Sequence, residues 1–258
     1  MMKLSKSELK EFLDEKVELY NNPDFIESDP ISIPHKFEKK HDIEIAGFLA
    51  ATIAWGNRKM ILRNANRIID LLDNSPFEFI TGADDRDLDG ITGFVHRTFN
   101  SYDLIYFLRA LQYIYRDKGG MEAIFEKFRT NDSIQPAIHE FHKIFYELPH
   151  EKRTERHVSD PFKGSAAKKI NMFLRWMVRR DDKGVDFGIW KSIPPAVLSC
   201  PLDVHSGNVA RELGLLKRKQ NDSRAVAELD TVLRSFDSDD PVKYDFALFG
   251  LGVTGELN

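Results

Sequence analysis

The chain has 258 residues, 42% apolar and 30% charged, with a net charge of −4. It is long enough for a sizeable core in one large domain or two lobes, and its ordinary composition excludes a disordered, fibrous or globally basic protein. A single cysteine, Cys200, excludes an intrachain disulfide, a cysteine-ligated zinc site and an iron–sulfur cluster, and no eighteen apolar residues run together to cross a membrane.

The start, MMKLSKSELKEF, is polar and has no apolar signal core, so a cytoplasmic protein is expected. Leu9, Phe12, Leu13, Val17 and Tyr20 share one side of a first helix over 5–20. The stretch after it contains Pro23, Pro30 and Pro34 and reads as an ordered loop or arm. From Asp42 to Trp55 nearly every residue is apolar, as in a buried central helix, with Ala46, Gly47, Ala50 and Ala51 permitting close approach of a neighbour. Trp55-Gly56-Asn57 breaks that helix. A second one runs to Asp73, with Ile61, Ala65, Ile68, Ile69 and Leu72 inward and Arg58, Lys59, Arg63 and Arg67 outward.

Residues 74–100 are rich in loop signals, and Phe94–Phe99 fits a strand as well as a helix. His96 reads as a structural or surface histidine, with no ligand-spaced partner for a metal. Ser101 is placed to cap a helix through Arg116 that Gly119-Gly120 stops. Further helices are expected at Met121–Phe128 and Ser133–Leu148; on the latter, His139 and His142 read as solvated rather than as metal ligands.

In the helix expected over 165–180, Ala166, Ile170, Phe173, Leu174 and Met177 pack inward. Lys168, Asn171, Arg175 and Arg179 fall on another face, which reads most simply as a solvated basic face, and Ser165 is a reasonable cap. A lysine in a first helical turn feels the positive end of the helix dipole, which disfavours its ammonium form; a neutral amine is what a lysine nucleophile requires. After a folded connection holding Trp190, Ile193 and Pro194-Pro195, the run PLDVHSGNVARELGL opens a helix that Asp203 or Ser206 can cap, and Gly214 ends it. An exposed basic turn follows at Lys217–Lys219, then an amphipathic helix over 222–236. Asp240-Pro241 is expected to start the last helix and Gly250 and Gly252 to end it.

The segment from Glu151 to Lys191 has eleven Lys/Arg and six Asp/Glu, a net of +5 that leaves the remainder at −9. A local basic stretch is compatible with a DNA-facing surface and also with chance. Together the elements predict an all-α fold of roughly ten helices in two packed helical lobes within a single compact unit, 1–258. One lobe spans 42–148, the other 1–41 plus 149–258. No cofactor is expected, and no metal.

The order of these pieces resembles the helix–hairpin–helix superfamily of DNA base-excision glycosylases, which includes endonuclease III-like and 8-oxoguanine glycosylases. GFLAATIAWGNRKMILRNANRI resembles the helix pair carrying lesion-proximal residues. Gly164-Ser-Ala-Ala-Lys168-Lys-Ile-Asn171 resembles the second half of the hairpin motif, with Asp160–Ser165 standing where the family has L-P-G-V-G. PLD-VHSGNVARELGL, with Asp203, resembles the stretch with the catalytic aspartate. The whole chain also resembles a bacterial family of unknown function carrying GSAAK and DVHSGN. The resemblance implies a DNA-glycosylase-like fold and a monomer acting on double-stranded DNA that contains a damaged base. It makes Lys168 the nucleophile, with Lys169 as rival, and Asp203 the stabilising carboxylate. It places Gly164, Ser165, Asn171, Arg175, His205, Asn208 and Arg58 at the DNA, and Trp55, Asn57 or Trp176 at the extruded base or the gap it leaves. Two other readings compete: a non-catalytic DNA-binding protein on the same fold, and a helical protein unrelated to DNA.

Overall fold

The computed structural model describes residues 4–256. Within them are twelve α-helices, seven short 3-10 turns and one two-stranded hairpin, so the fold is all-α with more helices than the ten expected. The chain divides into two compact units. Unit one comprises Met1–Phe25, Arg129–Pro136 and Asp160–Asn258; unit two comprises Ile26–Phe128 and Ala137–Ser159. The division therefore falls near residues 25 and 159, with a short excursion at 129–136, rather than at 41 and 148.

Helix α1 (Lys6–Tyr20) opens on a reciprocal cap, in which Ser5 and Glu8 each accept from the other's backbone N–H. It belongs to unit one and buries Leu13 and Val17.

In unit two, α2 (Lys40–Thr52) buries every residue from Asp42 to Thr52, as its lack of a polar face requires. Gly56, at φ 105, turns the chain, and Asn57 caps α3 (Arg58–Leu71) by accepting from Met60 N–H at 3.2 Å. The expected loop over 74–100 contains two short helices, α4 (Pro76–Gly82) and α5 (Asp85–Asp89). The acidic run there is a capping device: Asp84 accepts from the N–H groups of Arg86 and Asp87, and Asp87 accepts from Asp84 N–H. Strands β1 (Val95–His96) and β2 (Phe99–Asn100) form an antiparallel hairpin. His96 is buried, against Asn64 at 2.9 Å and the Trp55 carbonyl at 3.2 Å, a structural histidine.

Helix α6 (Ser101–Asp117) is capped by Asn100, not Ser101; the Ser101 hydroxyl instead accepts from Phe94 N–H at 2.7 Å. Asp103, fully buried, meets Arg153 at 2.9 Å and Thr154 at 2.9 Å, with the His157 ring 3.6 Å away. Burial raises its carboxyl, but the bonds from His157, the Asn100 N–H and Thr154 outweigh that and hold it at about 2. α7 (Met121–Phe128) and α8 (Gln135–Phe145) complete this part of the chain. His142 on α8 is buried and donates to the Val158 carbonyl at 2.8 Å, so it is not the solvated histidine expected. Phe48, Phe107, Phe141 and Phe145 stack and tilt against one another at 4.7–5.9 Å in the core of unit two.

Unit one is completed by α9 (Lys168–Val178), α10 (Val204–Glu212), α11 (Ser223–Arg234) and α12 (Tyr244–Thr254). Leu13 and Val17 of α1 share one apolar cluster with Val209, Ala210, Leu229, Leu233, Leu248 and Leu251. Two boundary expectations fail here. Asp240 makes no side-chain cap, because it bonds Arg179 at 2.9 Å, and α12 begins after a 3-10 turn at Pro241–Lys243. Gly250 and Gly252 lie inside α12, which ends at left-handed Gly255. A Cβ on Gly250 would stand 2.2 Å from the Tyr20 ring, so that glycine is there for close packing of α1 on α12. Among the described residues no helix is long and apolar enough to cross a membrane.

Candidate functional site

Two helix starts in unit one carry the site. α10 opens at Asp203, whose Oδ1 accepts from Ser206 N–H at 3.0 Å, while the Ser206 hydroxyl accepts from Asp203 N–H at 2.9 Å. The reciprocal cap fixes the carboxylate's orientation. α9 opens at Lys168, later than the expected 165. Ser165 is not its cap: Ala167 holds the N-cap position in a left-handed conformation (φ 47, ψ 37), and no side chain caps the helix. For an L residue that conformation is costly. It brings Lys168 to the first helical position with its Nζ 3.6 Å from Asp203 Oδ2. The two side chains are 28% and 23% exposed, open to a ligand yet partly shielded from water.

The turn before α9 is built from its own residues. Asp160 accepts from Phe162 N–H at 2.9 Å, Pro161–Lys163 makes one 3-10 turn, and Gly164 ends it at φ 90. The preceding element is another 3-10 turn, Lys152–His157, rather than the α-helix of a helix–hairpin–helix. Gly164 accepts from Ser223 N–H at 3.1 Å, and Ser165 bridges Asp222. The Ser165 hydroxyl accepts from Ala167 N–H at 3.1 Å. The segment after α10 closes on the same place: Asn221 Nδ2 donates to the Asp203 carbonyl at 2.7 Å. Gly207 admits it, since a Cβ there would lie 2.7 Å from Asn221 Oδ1.

The expected solvated basic face on α9 is absent. Arg175 is buried, bonded to Asp186 at 3.2 Å and to Asp245, with its guanidinium 4.2 Å from the Phe246 ring centroid. Arg179 is buried with Asp181 at 2.7 Å, Asp186 at 3.2 Å and Asp240. Asn171 is buried as well, donating to the Ala166 carbonyl at 3.0 Å and accepting from Gln135 at 3.3 Å. Trp176 has no exposed surface. Arg175, Asn171 and Trp176 are thus interior residues, out of reach of a phosphate or an extruded base in this conformation. Gly164, His205 and Asn208 are exposed and Ser165 half-buried. Trp55, Asn57 and Arg58 belong to unit two. There Trp55 is half-buried, edge-on to His96 and stacked on His157; Asn57 is exposed at its cap; Arg58 reaches the Ser28 hydroxyl at 3.5 Å.

Lys169 is pushed down to about 7, first by burial and then by the charge of Lys168. Asp245, buried and bonded to Arg175, is pushed up to about 6 by burial and by Asp203, against Arg175 and Lys168. Burial also raises Asp186 and lifts the Cys200 thiol well above its usual value. Asn221 and Asp245 carried no local signal in the sequence; the Asp203 carbonyl and Arg175 that they meet lie 18 and 70 residues away.

The chain is thus an all-α protein in which a lysine and an aspartate at two helix N-termini of unit one stand 3.6 Å apart. A family described as "Protein of unknown function (DUF2400)" matches residues 29–254, and the chain belongs to that family. No curated protein sequence and no solved structure matches it.

Proposed function

We propose that Lys168 and Asp203 form a base-excision site: a DNA glycosylase with lyase activity that acts on duplex DNA through a lysine Schiff base. The observation that carries the reading is the 3.6 Å approach of the Lys168 amine to Asp203 Oδ2, with both groups part-exposed at helix starts. In this chemistry Asp203 takes a proton from the Lys168 ammonium, and the freed amine attacks C1′ of an extruded nucleotide. The N-glycosidic bond breaks, its electron pair leaves with the base, and the proton held by Asp203 passes to the base, which restores the carboxylate. Opening of the sugar leaves a C1′ iminium on Lys168. Removal of a C2′ proton then expels the 3′ phosphate. The Asp203 carboxylate faces the positive charge that develops on the sugar.

Three further features support the reading. The start of α9, without a side-chain cap, offers N–H donors to a phosphate. Gly164, shortly before it in the chain, and His205 and Asn208 on α10 are exposed. The motif order resembles the helix–hairpin–helix glycosylases, although a 3-10 turn stands in place of their hairpin. Lys169 is the rival nucleophile on account of its lowered value, but Lys168 is the one that meets the carboxylate.

The second reading is structural: the same pair holds two helix starts together, since Asp203 is a complete cap in its own right. Borohydride trapping decides between them. The protein is mixed with duplexes carrying an abasic site, 8-oxoguanine or uracil and reduced. A covalent band that disappears with Lys168→Gln and persists with Lys169→Gln is expected. Absence of a band on every duplex overturns the catalytic reading.

A further inference from the structure

Unit two carries a set of cations that the Lys168–Asp203 site does not use. Lys59, Arg63 and Arg67 are all exposed on α3 at successive i, i+4 positions. They form one stripe about 12 Å long at 1.5 Å of rise per residue. The β1–β2 hairpin lies beside that helix: Asn64 donates to the Val95 carbonyl at 3.5 Å, and Arg67 donates to the Gly93 carbonyl at 2.9 Å. Arg97, exposed at the hairpin's turn, reaches back over Gly56 just before the Asn57 cap. A Cβ on Gly56 would sit 2.8 Å from its Nη1. Lys36 adds a cation at the flank through its bond to Asn66.

Two properties set this surface apart. Among the described residues, Lys59, Arg63, Arg67 and Arg97 form no ion pair, although acidic residues outnumber basic ones in the chain. The nearest carboxylate along the stripe, Asp70, is one turn beyond Arg67 and pairs with none of them. Unpaired like charges held along one ridge repel one another, an arrangement that a polyanion relieves. Arg97 also holds a left-handed backbone (φ 56) that Gly, Asn or Asp would meet more cheaply. The strain places a long guanidinium at the start of α3.

We infer that the outer face of α3 and the tip of the β1–β2 hairpin bind the phosphate backbone of a duplex nucleic acid through Lys59, Arg63, Arg67 and Arg97. Three of the four are arginines, whose fork matches phosphate oxygens. Only Met60 and Val95 are large exposed apolar residues among them, too few for insertion into a lipid surface. The surface stands on its own charges; the choice of DNA as the duplex rests on the function proposed above. The contacts position the duplex and carry no base specificity.

The test is fluorescence anisotropy with a labelled DNA duplex over a range of salt, comparing the full chain with Lys59→Gln/Arg63→Gln/Arg97→Gln. Arg67 is left in place because it also supports the hairpin. Each phosphate contact contributes about 0.9 to the slope of log K against log salt. The triple variant is expected to lower that slope by about 2–3, with circular dichroism unchanged, while Arg63→Lys/Arg97→Lys keeps it. Equal slopes, or no duplex binding by the wild-type chain, overturn the inference. So does a variant that binds duplex as before but loses retention on phosphatidylserine vesicles, which would make the partner a membrane surface. Borohydride trapping on the same preparations separates the two proposals. A slope change without a trapped band leaves this surface and removes the lyase; a band without a slope change does the reverse.

Discussion

Asp203 divides its two oxygens between Ser206 and Lys168: Oδ1 accepts from Ser206 N–H at 3.0 Å, while Oδ2 lies 3.6 Å from the Lys168 amine. The capping role and the charge role can therefore be separated by substitution. Asp203→Asn retains an acceptor for Ser206 N–H, so its melting temperature is expected to stay close to wild type. Its yield of borohydride-trapped adduct is expected to fall at least tenfold, because an amide neither takes the lysine proton nor faces the sugar cation with a negative charge. Asp203→Ala loses the cap too and is expected to be less stable by about 1 kcal/mol. Trapping yield and thermal melting on the same samples check both. Asp203→Asn with wild-type trapping would leave the carboxylate with capping alone.

The packing of α1 on α12 yields a second prediction. Gly250→Ala would bring a methyl to 2.2 Å from Tyr20 Cδ2. The Tyr20 ring must move, and overpacking of this kind costs about 1–3 kcal/mol. Tyr20→Ala removes the obstacle, so the double variant is expected to be more stable than the sum of the two single changes implies. Denaturant melts of the four proteins close the cycle. Additive losses would show that the contact is relieved elsewhere.

How far these features were legible depended on where their partners stood. The 3.6-residue pattern located α1, α3 and α6–α12 to within a few residues, because each buries a face of its own, and the unbroken apolar run located α2. Asp203 read as a cap because its partner Ser206 is three residues away. The Asp84–Asp89 run misled because a charged stretch without apolar period hides a reciprocal cap between Asp84 and Asp87. The hairpin at 95–100 stayed undecided between strand and helix because two-residue strands are too short to show alternation. Arg175 and Arg179 were misplaced for a different reason. An amphipathic pattern cannot distinguish arginines facing water from arginines facing buried aspartates, and Asp186, Asp240 and Asp245 come from 7 to 70 residues further along. The approach of Lys168 to Asp203 was expected from motif order, with no local signal for Asn221, which ties down the Asp203 carbonyl.

That buried network supplies a third prediction. Arg175 is the cation between Asp186 and Asp245, and removing it leaves both carboxylates interior without it. Arg175→Met is expected to destabilise unit one by about 3–5 kcal/mol, the usual consequence of breaking one side of a buried pair. Arg180→Ala, at an exposed position nearby, is expected to change stability by less than about 0.5 kcal/mol. Urea midpoints read the difference. A small effect at Arg175 would mean that the carboxylates take up protons or rearrange at little cost.

A fourth prediction concerns Asp230 on α11. Its Oδ1 accepts from the Cys200 N–H at 2.9 Å, and Arg234 lies 3.8 Å from its other oxygen. Burial nevertheless pushes its carboxyl up to about 6, because Ser199, Arg234 and the Cys200 N–H only partly compensate for lost water. A carboxyl raised in the folded state contributes stability that is fully present below its unfolded value, near 4, and is lost as pH rises through about 6. Asp230→Asn keeps an acceptor for the Cys200 N–H and cannot ionise, so it escapes that loss. Relative to wild type, the variant is expected to gain stability between pH 4 and pH 7, on the order of 1–3 kcal/mol, and to hold a constant difference above that window. Other titrating groups are shared by both proteins and cancel in the comparison. Melting temperatures measured in parallel from pH 4 to pH 8 check the sign. A difference that stays flat across pH 4–7 would show that Asp230 titrates in the folded chain as it does in the unfolded one.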